Sequence, residues 1–119
     1  MNRCAALQLF AAYNASMNEK VYAAASRLSE DDLRANKGAF FGSVLATLNH
    51  IIAGDTIWLK RFAQFPFATL APMANWPMPS ALDEIEYADF AVLLSKRREM
   101  DQLITTWTAQ LTEEQLDQD

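Results

Sequence analysis

His50 is the only histidine in the chain, and Asp55 is a carboxylate on an otherwise apolar helical seam; these two residues raise the question of chemistry first. An imidazole serves near neutral pH as a proton shuttle or as a metal ligand. A protein metal site takes three or four side-chain ligands, with water standing in for one of them in catalytic sites, and one histidine does not supply that set. His50 and Asp55 are also five residues apart, a rotation of about 140° around a helix axis, which is wrong for gripping one ion together. His50 sits beside Ser43, Thr47 and Gly54, a small polar flank that leaves room above the ring. The plainer reading is a partly exposed helix histidine or one satisfied by a single hydrogen bond.

Asp55 is the more anomalous of the two, because an unpaired buried carboxylate is costly and must find a partner. Asn14, which interrupts the apolar pattern of the first helix, is the expected partner. The two then form a polar layer that fixes helix register, as buried polar residues do in coiled coils. The alternative is that Asn14, Asp55 and Trp58 line a small-molecule pocket with His50. Lys60 and Arg61 fit the favourable C-terminal end of a helix. Trp58, Trp76 and Trp107 fit packing roles. Cys4 lies in the first helical turn with no Cys-x-x-Cys partner and reads as inert. No phosphate-binding glycine loop, nucleophile elbow or paired-glutamate helix motif occurs.

Three long amphipathic helices must position these groups. Leu7, Phe10, Met17, Val21 and Leu28 recur at helical spacing and predict a first helix from about Ala5 to Leu28. Ser29 followed by Glu30-Asp31-Asp32 predicts a capped short turn to Leu33, and Asn36-Lys37-Gly38 predicts a loop. Ser43 is the expected cap of the second helix. Its seam runs through Phe41, Val44, Leu45, Leu48, Ile51, Ile52, Asp55, Trp58, Leu59 and Phe62. Pro66, Pro72, Pro77 and Pro79 break the pattern and predict a crossover over 63–83 without regular structure. A third helix runs from Tyr87 or Asp89 to Leu111 along Phe90, Leu93, Leu94, Arg97, Met100, Ile104 and Trp107. Thr112-Glu113-Glu114-Gln115 then has the form of a capping box.

With 119 residues and 51% hydrophobic side chains, the sequence predicts one domain, 1–119, with one core. Residues 1–82 carry seven basic and five acidic side chains, whereas 83–119 carry three and ten, so no basic stripe exists to engage nucleic acid. A single cysteine predicts a reducing compartment, and no apolar run is long enough to span a membrane; the expected location is the cytoplasm.

Phe10-Ala11-Ala12-Tyr13-Asn14, Gly38-Ala39-Phe40-Phe41-Gly42-Ser43, Thr47-Leu48-Asn49-His50 and Asp55-Thr56-Ile57-Trp58-Leu59-Lys60-Arg61-Phe62 together resemble the DinB family over nearly all of 5–111. The resemblance implies an all-α four-helix bundle with a long crossover between its second and third helices, related to the mycothiol-dependent isomerase fold. It implies a divalent metal, nickel or zinc, held by a histidine at the position of His50 and by a His-x-x-x-His pair from a fourth helix. That pair is absent from the sequence. The expectation is therefore a domain with three long helices, truncated before its fourth, whose full-length form acts as a metal-dependent hydrolase or thiol transferase. The chain itself is then expected to be inactive and without a cofactor. The competing expectation is a non-catalytic helical homodimer with a structural, binding or stress-response role, which covers an open face by self-association.

Overall fold

The computed structural model describes residues 2–38, 42–81 and 84–117. Asn2 opens the first helix, α1 (Arg3–Ala25), by accepting a hydrogen bond from the Ala5 amide at 2.8 Å. Eight alanines in the segment 5–25 favour an uninterrupted helix of this length. Ser29 caps a one-turn helix, α2 (Glu30–Arg34), whose first turn is wholly acidic and suits the positive end of the dipole. Gly38 and Gly42 both take positive φ, 77° and 91°, which a side chain there would oppose. The Lys37 amide donates to the Gly42 carbonyl at 2.8 Å.

Ser43 caps α3 (Val44–Phe62) by accepting from the Ala46 amide. Of the expected seam, Leu45, Leu48, Ile52 and Leu59 are buried; Phe41 lies outside the described residues. Asp89 caps α4 (Phe90–Gln110), and a complete Thr112–Gln115 capping box starts α5 (Glu113–Leu116). The core gathers Tyr22, Leu33, Leu45, Leu48, Ile52, Leu59, Leu93 and Met100 with Leu70, Met73 and Trp76 from the crossover.

Two expectations are corrected here. The crossover is not without regular structure: a 3-10 helix spans Ala68–Asn75 with Pro72 inside it. Prolines forbid α-helical hydrogen bonds but tolerate this short tighter form, and Leu70 and Met73 anchor it in the core. Lys60 Nζ donates to the Met73 carbonyl at 2.9 Å, and the Asn49 amide pairs with the backbone of Tyr87 in both directions. The second correction concerns the bundle. A four-helix bundle of three long helices with its fourth missing was expected; six helical elements are present among the described residues, three long and three short. The reason is that Ser29 and Thr112 each nucleate a helix of their own and the crossover contributes another.

Helix α1 packs along α4, α2 packs on α3, and the 3-10 helix bridges α3 and α4. The result is elongated: the radius of gyration is 15.5 Å, against about 13.5 Å for a compact chain of this length.

Candidate functional site

The polar residues of three helices converge on one side chain, Arg97, which is 1% exposed. It lies on the inner face of α4, one turn before Asp101, so the pair meets at the helical spacing of four. Arg97 Nη2 and Nε both donate to Asp101 Oδ1, at 2.7 and 3.0 Å. From α1, Asn18 Nδ2 donates to both oxygens of Asp101 at 3.1 Å, and Asn14 Nδ2 reaches Oδ1 at 3.4 Å. From α3, Asp55 Oδ2 lies 2.8 Å from Arg97 Nη1. That contact is short enough for an ion pair, yet Nη1 has no well-aligned hydrogen-bond acceptor among the described residues, so charge rather than direction holds Asp55 there.

Asn14 and Asp55 are thus placed around one centre but not on each other. The sequence reading placed Arg97 on the apolar seam without drawing out its charge, and missed Asp101 and Asn18. The available signal was the Arg97–Asp101 spacing of four along that seam, which brings opposite charges together inside the bundle. Burial pushes the Asp101 carboxyl above its usual range, while Arg97 and Asn18 pull it back. Tyr22, buried beside the cluster, is pushed up to about 12 by burial, and its hydroxyl finds no partner among the described residues.

His50 is half-buried on α3 and Trp58 is 58% exposed, with the Arg61 guanidinium 4.9 Å from the Trp58 ring centre. Trp76 is buried in the core under Lys96, and Trp107 packs against Phe62 and Phe67. Cys4 is a buried free thiol, pushed up by burial and by Glu113, a combination that disfavours the reactive thiolate.

The profile of the DinB family matches residues 1–119. The chain belongs to the DinB family. No curated protein and no solved structure matches it. The family match spans the whole chain and six helical elements are present, so the expectation of a DinB domain truncated before its fourth helix is corrected. The expectation of metal binding is corrected too. Among the described residues no three His, Cys, Asp or Glu side chains come together in a group that could hold a metal ion. The reason is geometric: Asp55 is turned to Arg97, and Asp101 is engaged by Arg97 and Asn18. A nickel or zinc site on His50 therefore does not fit this donor set, and no step is derived through one. No helix among the described residues is long and apolar enough to cross a membrane.

The other feature of the site is the apolar surface beside it. On α1, Phe10, Tyr13, Met17 and Val21 are exposed, Phe10 and Tyr13 at 67% and 64%. On α3, Ile51, Trp58 and Phe62 are exposed. Asn14 on α1 and Asp55 on α3 neighbour these two strips along their helices, and both turn toward the buried Arg97–Asp101 pair.

Proposed function

We propose that this DinB-family chain is a non-catalytic helical protein that works as a homodimer through the exposed apolar strips of α1 and α3. The observation that carries the reading is the pair of exposed apolar strips, Phe10–Met17–Val21 and Ile51–Trp58–Phe62. Large apolar side chains grouped on one face mark an association surface, and a two-fold dimer is the commonest way to cover one. The accessible surface is in keeping with this reading. It is 7321 Å², against about 6,500 Å² for a compact monomer of this size. The excess of about 800 Å² goes with the elongated shape and is comparable in size to what one partner contributes to a standard interface.

Sedimentation equilibrium tests the proposal. The expected result is a dimer for the native sequence and a folded monomer for the double variant Met17→Ser with Ile51→Ser. A native chain that stays monomeric at high micromolar concentration, or a double variant that remains dimeric, overturns it.

A further inference from the structure

A cleft of about 330 Å³, sharing only Phe62 with the exposed α3 strip, is lined by none of the residues of the charged centre. Its walls come from four parts of the chain: Leu7 of α1, Phe62 of α3, Phe67 of the crossover, and Trp107 of α4 with Leu111 at its C-terminal end. Leu116 of α5 completes it. Every residue lining it is uncharged, and three aromatic rings form one side, with Phe62 and Phe67 centred 5.2 and 5.6 Å from Trp107. We propose that this cleft is a binding site for a neutral, largely aromatic or aliphatic small molecule, and that α5 is its lid.

The volume falls at the lower end of the roughly 300–1,000 Å³ typical of small-molecule sites. The chemistry of the walls selects the ligand. A carboxylate or ammonium group would be desolvated there without a counter-charge, whereas flat apolar surface is removed from water against rings. The lid assignment rests on how α5 is held. Arg3 Nε donates to Glu113 Oε2 at 2.7 Å, Arg3 Nη2 donates to Asp117 Oδ1 at 2.9 Å, and the Cys4 amide donates to Glu113 Oε1 at 3.2 Å. These ties lie at the surface, where each ion pair is worth little, so a four-residue helix can swing away and return at small cost. The α5 clasp closes over the cleft with Leu116 inside and its charges outside.

The site does not depend on dimerisation, and the test keeps the two apart. The probes are phenylnaphthylamine, which is neutral, and anilinonaphthalene sulfonate, which carries a negative charge on a similar ring system; both are followed by fluorescence and by energy transfer from tryptophan. The expected result is saturable binding of one phenylnaphthylamine per chain, with the sulfonate weaker by about tenfold or more. Leu116→Trp, which fills the cleft from the lid, is expected to weaken the neutral probe by about tenfold or more. Leu7→Trp fills it from the opposite wall and is expected to do the same even where the first variant unwinds α5. The monomerising pair Met17→Ser with Ile51→Ser, remote from the cleft along both helices, is expected to bind as the native chain does. No saturable binding to the native chain, unchanged affinity in Leu7→Trp, or loss of binding in the monomerising variant overturns the proposal, the last by placing the probe on the dimer surface.

Discussion

Helices α1 and α3 are both long, both rich in apolar residues and both laid near α4, yet they bury themselves in opposite ways. Helix α3 buries seven of its 19 residues, and four of them are Leu or Ile drawn from its main seam. Helix α1 buries four of its 23, namely Cys4, Ala11, Tyr22 and Ala25, and leaves Phe10, Met17 and Val21 in contact with solvent. Apart from Tyr22, the buried residues of α1 are the small Cys4, Ala11 and Ala25, and Asn14 and Asn18 reach toward α4 beside them. Small residues let two helix backbones approach closely, and the two amides then reach the Asp101 carboxylate. Large side chains in place of the small ones would hold the helices apart and leave Asp101 with fewer donors. The lesson is that a buried charge can decide which face of a helix turns inward, against the pull of a more hydrophobic face.

The sharpest way to break this comparison is to remove the charge that α1 and α3 share. Arg97→Leu leaves Asp101 buried with its strongest partner gone, and a loss of about 3–5 kcal/mol in urea denaturation is expected. The double variant Arg97→Leu with Asp101→Asn recovers part of that loss, because the stranded charge is gone; no recovery would show that packing rather than charge sets the cost. A second variant pair compares the helices directly. Ile52→Ala on α3 is expected to cost about 2–5 kcal/mol, whereas Phe10→Ala on α1, measured in dilute protein, is expected to change stability by no more than about 0.5 kcal/mol. Equal costs would mean that the α1 strip is packed even in the monomer.

The smallest expected effect belongs to Tyr22, the one large side chain α1 does bury. Its folded-state value of about 12 lies above the ordinary 10, so the unfolded chain releases this proton first as pH rises. The stability Tyr22 provides is whole below pH 10 and is lost as pH climbs toward 12. Tyr22→Phe removes an unpartnered hydroxyl and this titration together. Neutral-pH stability is expected to be unchanged or slightly higher, with a shallower alkaline decline in thermal melts. A clear loss at neutral pH would reveal a hydrogen bond to that hydroxyl.

Much of the framework was legible from local signals. Ser29, Ser43, Asp89 and Thr112 start helices because a side-chain oxygen beside free amides works in isolation from the rest of the fold. The site was legible in part. Asp55 stood out because a carboxylate on an apolar seam needs a partner, but its partner is Arg97, 42 positions away, and no spacing rule reaches that far. Asn14 was expected to pair with Asp55, but its amide reaches Asp101, since both amide and carboxylate converge on α4. The metal expected at His50 came from family likeness, and among the described residues no group of three His, Cys, Asp or Glu side chains assembles to hold one.

By itself, then, the sequence determined the all-α class, the side-chain caps at Ser29, Ser43, Asp89 and Thr112, and the proline-rich break between α3 and α4. These follow from interactions within a few residues along the chain. Only the tertiary structure decided that α1 turns its small and amide-bearing face inward, that Arg97 is the meeting point of three helices, and that α5 folds over an uncharged cleft. Each of these depends on which distant side chains share a low-dielectric interior. There the need to pair a charge outweighs the preference to bury one more apolar strip.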